Sequence, residues 1–277
     1  MDSNKRIDRG AAFDQNVIYE SESGRMKRLN RDLIYIGIDD TDNPDTRGTG
    51  FRARELIELL ENQALARGIA VTRHQLLVDD RVPYTSHNSS ACLVVKPHDA
   101  TSLDQLLDFC RDYLLEIAAA GSDVGLCMAD HAQASQVITF GQKAKVDLVE
   151  QDEARQVSQK YGIRLEGLTG DHQGIIGSLS AVGLHVHGND GRYLWPRDIR
   201  EYSGQTLPVS DIRKNRGVDR ITLLSGEEVE NETARIELGE WPRTVRIDNQ
   251  AVLLVEQLSA QHQYKVLEKT VIKSVRP

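Results

Sequence analysis

Three carboxylates arrive within four positions at the end of the stretch YIGIDDTDN: Asp39, Asp40 and Asp42 follow the apolar run that closes on Gly37 and Ile38. Like charges this close repel, and each loses hydration if its surroundings fold around it. A divalent cation reconciles them. Mg²⁺ takes hard oxygen ligands, typically one or two carboxylates, and fills its remaining positions with water and substrate phosphates. A solvated Asx turn accounts for a single Asp at a strand end; three after a buried run favour the metal. Strand alternation places Asp39 opposite Asp40, and an extended chain puts Asp40 and Asp42 on one face. The spacing is wrong for an EF-hand. Counting from Asp40, Pro44 and Asp45 stand where that loop needs Asp or Asn and then Gly.

Two glycine turns offer backbone N–H groups to phosphate. Gly48 and Gly50 flank Thr49 just before a helical pattern, and a helix N-terminus favours anions through its free N–H groups and its dipole. Thr49 is equally suited to be an N-cap, and at this point both roles stand. The second turn lies in GDHQGIIGSLSAVG, where Gly170 and Gly174 bring backbone towards a ligand and Gly177 suits close helix packing; the whole turn from Gly170 to Gly177 is expected to cradle the phosphates of a nucleotide. The polar segment PYTSHNSSA supplies His87 and Asn88 as substrate or ribose contacts. GxxxxGK[ST] occurs nowhere, so the chain has no Walker A loop.

The elements that must hold these residues read as follows. LIYIGI is a buried strand. Ala53, Leu56, Ile57, Leu60 and Ala64 recur at helical spacing, with Gly68 as the stop. IAVTRHQLLV and ACLVV are strands, and Ser102 with Gln105 forms a capping box ahead of a helix that runs to Gly121. DVGLCM is a strand, and helical patterns cover 130–146 and 150–161. The second glycine turn opens a short helix and then a strand. Beyond about residue 200 the helical period fades into short strands such as DRITLLS, ARIEL, PRTVRID, QAVLLVE and YKVLE. The expected organisation is a flexible extension over 1–30, an α/β domain over 31–200, and a small β-rich module over 201–277.

The totals set bounds. Hydrophobic residues make up 39% and charged residues 27% of the 277 positions, which fits a folded soluble chain. No apolar run approaches the ~20 residues of a spanning helix, and the first ten residues carry no apolar core of a secretory signal. Cys92, Cys110 and Cys127 are far apart and form no CxxC pair, which argues against both a disulfide framework and a zinc ribbon. A reducing cytoplasm is the expected setting. The net charge of -8 weighs against an extended nucleic-acid footprint.

With these stretches in hand, GIDDTDNPDTRGTG resembles the GIDDTDS motif that opens the ATP-dependent kinase domain of archaeal isoleucine-tRNA agmatinylcytidine synthetase. VPYTSHNSSACLV and QGIIGSLSAVG are similar to two later segments of that domain, in the same order, over roughly residues 33–195. The resemblance implies a kinase-like α/β fold with a smaller β-rich or ferredoxin-like C-terminal module. It implies that Asp39, Asp40 and Asp42 bind Mg²⁺ and the phosphates of ATP, and that Thr49 falls at the family's phosphorylated threonine. Gly48-Thr49-Gly50 departs from the family's Cys-Thr-Thr, and Ser86 to Ser90 from its Arg-Gly-Asn-Gly. The zinc-type cysteine pairs of the family's RNA-anchoring part are absent from this sequence.

The expected function is an ATP- and Mg²⁺-dependent phosphotransferase. Its partners would be nucleotide and a small-molecule or nucleoside acceptor, with a second copy of the chain as a further option and no membrane. Two alternatives accompany it: a non-catalytic nucleotide-binding regulatory module, and a Mg²⁺-dependent phosphatase. The last would suit the partial likeness of the strand-plus-Asp-x-Asp pattern to haloacid-dehalogenase-type enzymes, which Pro44 breaks. From the acidic balance, unmodified tRNA is expected to bind poorly at physiological salt. Filter binding checks this, and a sub-micromolar affinity would contradict it.

Overall fold

The computed structural model describes residues 32–82, 88–196, 198–214, 217–259 and 262–275. The expected extension over 1–30, and His87, lie outside the described residues. The first elements are β1 (Ile34–Asp39), α1 (Thr49–Asn62), β2 (Ala66–Gln75), β3 (Ser89–Pro97), α2 (Leu103–Ile117) and β4 (Gly125–Asp130). β1 pairs antiparallel with both β3 and β4, and β2 pairs antiparallel with β3, giving the order β4-β1-β3-β2. This is the split β-α-β-β-α-β layout of ferredoxin-like units. It lies in the first half of the chain, whereas the resemblance offered a ferredoxin-like module at the C-terminal end.

Alternation along β1 decides what each face of the sheet packs against. Ile34, Ile36 and Ile38 join Leu56, Ile57, Leu60, Leu106 and Leu114 in a core beneath α1 and α2. Tyr35 points to the other face, into a core with Ile175, Leu179 and Val182. These last three belong to α6 (Gly174–His187), which follows α3 (His131–Ser135), α4 (Ile138–Lys143), α5 (Gln151–Tyr161) and β5 (Arg164–Gly167). The result is a sheet with helices on both faces. α6 is 14 residues long and buried along nearly its whole length, longer and more central than the short helix expected from sequence. A helix apolar all round belongs in a core.

Glycines let α6 lie almost on the strands. A Cβ on Gly37 of β1 would sit 1.9 Å from the Ser178 carbonyl oxygen, and one on Gly125 of β4 would sit 2.1 Å from Gly174. On the far side of α6, a Cβ on Gly183 would come within 2.2 Å of the Val137 carbonyl at the start of α4. The glycine expected to stop α1 plays another part. α1 ends at Asn62, and Gly68 lies inside β2, where a Cβ would meet Ile57 at 2.9 Å. The capping box at Ser102 and Gln105 forms as expected, although α2 ends at Ile117, before Gly121.

The sheet continues through β6 (Arg192–Trp195) into a β-rich part. There β7 (Thr206–Pro208), β8 (Arg220–Leu223), β9 (Arg235–Glu237), β10 (Val245–Ile247), β11 (Gln250–Gln257) and β12 (Gln263–Val266) enclose a core of Ile221, Ile236, Leu253 and Val255. Two short helices, α7 (Val209–Ile212) and α8 (Lys269–Val275), complete it. None of the helices is long and apolar enough to cross a membrane, among the described residues.

The contact between α6 and β1 sets the first stability prediction. Gly37→Ala should cost about 3 kcal/mol or more, because the new methyl meets backbone rather than a flexible side chain. Gly204→Ala, with open space around its Cβ and only a φ of 77° against it, should cost about 1 kcal/mol. Urea denaturation midpoints compare the two. Equal costs would show that the helix can back away from the strand.

Candidate functional site

One edge of the sheet gathers the residues singled out by sequence. The carboxyl ends of β1 and β2 meet the amino ends of β3 and β4 there, because the neighbours are antiparallel. The N-termini of α1 and α6 reach the same edge. Asp39, Asp40, Asp42, Thr49, Asn88, Gly174 and Gly177 all line one cleft, which encloses about 180 Å³. The apolar Leu76, Leu77, Leu148, Val149 and Ile176 also line it, together with Arg81 and Asp147.

The three acidic side chains have different surroundings. Asp39 closes β1 on the α6 face, so near the helix that a Cβ on Gly177 would sit 1.8 Å from its Oδ2. It keeps some surface on the cleft, yet the protein packed around the carboxyl strips most of its hydration. Desolvation first, and then the charge of Asp40, push its pKa up to about 8, with Arg73 pulling the other way. Asp40 leaves the strand with φ of 51°, so the chain is not extended here and the expected shared face of Asp40 and Asp42 does not form. Its Oδ2 accepts the Asp123 N–H at 2.9 Å. Burial raises its pKa more than that hydrogen bond lowers it, and the charges of Asp123 and Asp42 add to the rise.

Asp42 serves the start of α1. Its Oδ1 accepts the Thr49 N–H and the Thr49 hydroxyl, both at 2.9 Å. Gly48 is the N-cap residue and has no side chain to cap with. Thr49 therefore stands one position inside the helix, and the capping role considered for it belongs to the carboxylate of Asp42. The Thr49 hydroxyl in turn accepts from the Thr41 hydroxyl at 3.1 Å and the Thr41 N–H at 3.3 Å. This is a hydroxyl fixed in direction, with its proton on a carboxylate.

The glycine turns do less for phosphate than their sequence suggests. Gly50 packs on Leu194, which a Cβ would meet at 2.9 Å. The Gly170 turn wraps a carboxylate belonging to the protein itself. Asp123 Oδ1 accepts the Asp171 N–H at 2.6 Å, and a Cβ on Gly170 would sit 1.7 Å from that oxygen. The Gly174 N–H is spent on the Asp123 carbonyl at 2.9 Å. Asn88 donates its side-chain amide to the Leu77 carbonyl at 2.7 Å, tying its loop to the end of β2.

Two residues at this edge escaped the sequence reading. Asp123 stands just before β4 and joins the acidic group only through folding. Arg73 in β2 feels the charges of Asp42 and Asp39, while burial and the neighbouring Arg192 lower its pKa. Its Nε donates to Ser89 Oγ at 2.9 Å. Arg73 stands among Thr72, His74 and Gln75, so its charge does not stand out within the strand. Nothing local marks Asp123.

Among the described residues no group of three or more His, Cys, Asp or Glu is arranged to hold a metal by itself. Asp42 is committed to Thr49, which leaves Asp39 and Asp40. As hard oxygen donors they match the one or two carboxylates that Mg²⁺ takes when phosphates complete its shell.

No family model and no curated protein matches the chain. Among solved structures it is similar to a tRNA fluorescent labeling enzyme, with 28% identity, a TM-score of 0.48 and coverage of 55% of this chain and 36% of that one. It is similar to TiaS in complex with an isoleucine tRNA and ATP, with 27% identity, a TM-score of 0.49 and coverage of 55% and 36%. It is also similar to apo TiaS, an agmatidine synthetase of that isoleucine tRNA, with 27% identity, a TM-score of 0.48 and coverage of 55% and 35%. The match spans about a third of the length of those proteins. TiaS, an isoleucine-tRNA agmatidine synthetase, is of the family that the GIDDTD stretch resembles.

The raised pKa of Asp39 carries a pH dependence. An Asp whose folded pKa lies above its value of 3.8 in the unfolded chain binds its proton more tightly when folded. Its contribution is full below pH 4 and is lost as pH climbs towards about 8. Asp40 adds a slope of the same sign. Asp39→Asn, assayed without divalent cations, should flatten the fall in stability between those limits and melt above wild type at neutral pH. Melting curves across that range test this, and an unchanged slope would show that Asp39 ionises freely.

Proposed function

We propose that the chain is an ATP- and Mg²⁺-dependent phosphotransferase whose Thr49 hydroxyl accepts the γ-phosphoryl group. The observation that carries this reading is the 2.9 Å hydrogen bond from the Thr49 hydroxyl to the Asp42 carboxylate, in a cleft lined by acidic and apolar side chains. Phosphoryl transfer asks a protein for positioning and charge neutralisation more than for covalent chemistry, and this edge supplies both. The apolar side chains of Leu76, Leu77, Leu148 and Val149 suit the flat face of a base. Asp39 and Asp40 would hold Mg²⁺ on the triphosphate, and the ion would offset the negative charge that builds on the transferred oxygens. Arg73 lies near enough to feel both Asp39 and Asp42, and adds a positive charge at the same edge.

Asp42 is within the reach required of a general base. As Thr49 Oγ1 bonds to the γ-phosphorus, its proton passes to Asp42. The bond from that phosphorus to the bridging oxygen breaks, and ADP leaves with the electron pair. The longer of the two hydrogen bonds from Thr41, that of its N–H at 3.3 Å, gives way to free the lone pair that Thr49 Oγ1 brings to phosphorus, and the Thr41 hydroxyl holds the oxygen in place. The phosphothreonine is then poised to pass its phosphoryl group to a small-molecule or nucleoside acceptor.

Incubation with Mg²⁺-ATP, followed by mass spectrometry and ADP release, tests the proposal. Wild type and Thr49→Ser should carry phosphate at position 49, and Thr49→Val should not. Asp42→Asn keeps an acceptor for the Thr49 N–H but is a far poorer base. It should stay folded and lose about 100-fold or more in rate. ATP binding in wild type with neither ADP nor phosphothreonine would replace this reading with a nucleotide-binding module.

A further inference from the structure

A second cavity, of about 560 Å³, lies on the α6 side of the sheet, where β1, β2 and β3 meet the β10–β11 hairpin. It shares no lining residue with the acidic cleft. Its volume falls in the range of small-molecule sites. Tyr35, His131, His185, Tyr193, Asp219 and Arg246 bring the polar groups to its walls.

Arg246 is the unusual member. Only 9% of it is exposed, and a buried charge is costly unless it is paired. Its Nε donates to the His185 carbonyl at 2.8 Å, one Nη to the Tyr193 hydroxyl and the Asn249 carbonyl, and the other Nη to Asn249 Oδ1 at 2.9 Å. Every one of these acceptors is neutral. A guanidinium has five N–H groups, so one is left over. Arg246 makes no ion pair among the described residues. Asp219, the acidic residue on the same wall, spends its Oδ2 on the Ala251 N–H at 2.6 Å. The positive charge is felt around the cavity: it helps to hold the His185 pKa well below the ordinary histidine value, after burial itself. His131 and His185 bond through Nδ1 to the Tyr35 hydroxyl and Thr72 Oγ1, at 3.0 and 2.8 Å. That leaves Nε2 of each without a partner among the described residues.

We propose that this cavity binds a small organic anion, with a carboxylate or phosphate group on the remaining N–H of Arg246 and an apolar or aromatic body between Tyr35 and Tyr193. The anion supplies the charge that Arg246 lacks, and the two aromatic side chains supply the surface for the body. The proposal is independent of phosphoryl transfer at the other edge.

Benzoate and phenyl phosphate serve as probes, with benzamide as the neutral control, in thermal-shift and calorimetric titrations of the full chain in chloride buffer. At least one anion should raise the melting temperature saturably, and benzamide should not. Which anion does so separates carboxylate from phosphate ligands. Arg246→Met should abolish the response. Ala70→Leu, which narrows the cavity from β2, away from the strand that carries Arg246, should weaken binding about tenfold, the order of a misfit of one or two methyl groups. Excess Mg²⁺-ATP should leave the benzoate response unchanged. No shift with either anion in wild type, an undiminished shift in Arg246→Met, or displacement by Mg²⁺-ATP would each overturn the proposal.

Discussion

The distance between α6 and the strands beneath it governs everything at the acidic edge. Gly37, Gly125, Gly174 and Gly177 together remove the side chains that would hold a helix about 10 Å from a sheet, and the helix settles onto backbone. That contact encloses the Asp39 carboxyl and leaves it ionising only with difficulty. It also brings the α6 N-terminus to the strand end, so that Gly174 can donate to the Asp123 carbonyl. Without this approach the carboxylates would stand in water, and their crowding would cost little.

Crowded acids persist here because backbone N–H groups satisfy them one by one. Asp40 takes the N–H of Asp123, Asp123 that of Asp171, and Asp42 that of Thr49. These bonds run from the acidic loop to β4, to the glycine turn and to α1, so the negative charges double as the joints between four segments. Asp39 has little of this support, and it carries the large upward shift. The cation of the proposed function would relieve the fourth carboxylate without disturbing the joints that the other three make.

The two cavities are electrostatic opposites. One gathers carboxylates at the open end of β1, and the other, on the α6 side of the sheet, holds an arginine that makes no ion pair with the Asp219 of the same wall. α6 has its N-terminus at the first and His185, near its C-terminal end, at the second. A helix packed this tightly on backbone has no room to shift at one end independently of the other.

How much of this was legible depended on how local the cause was. The acidic loop, the strand before it, the capping box at Ser102 and the short strands after residue 200 follow from side-chain types and near-neighbour periodicity, and the sequence alone determined them. Tertiary structure decided what no local pattern encodes. It set the antiparallel order that puts the ferredoxin-like layout first. It moved the capping duty from Thr49 to Asp42, seven residues away, and filled the Gly170 turn with the Asp123 carboxylate. It also brought Asp123 and Arg73 beside the acidic residues and Arg246 to its cavity. In each case the deciding term is the pairing or desolvation of a charge by a distant segment. Its size depends on distances that exist only once the helix has landed on the sheet.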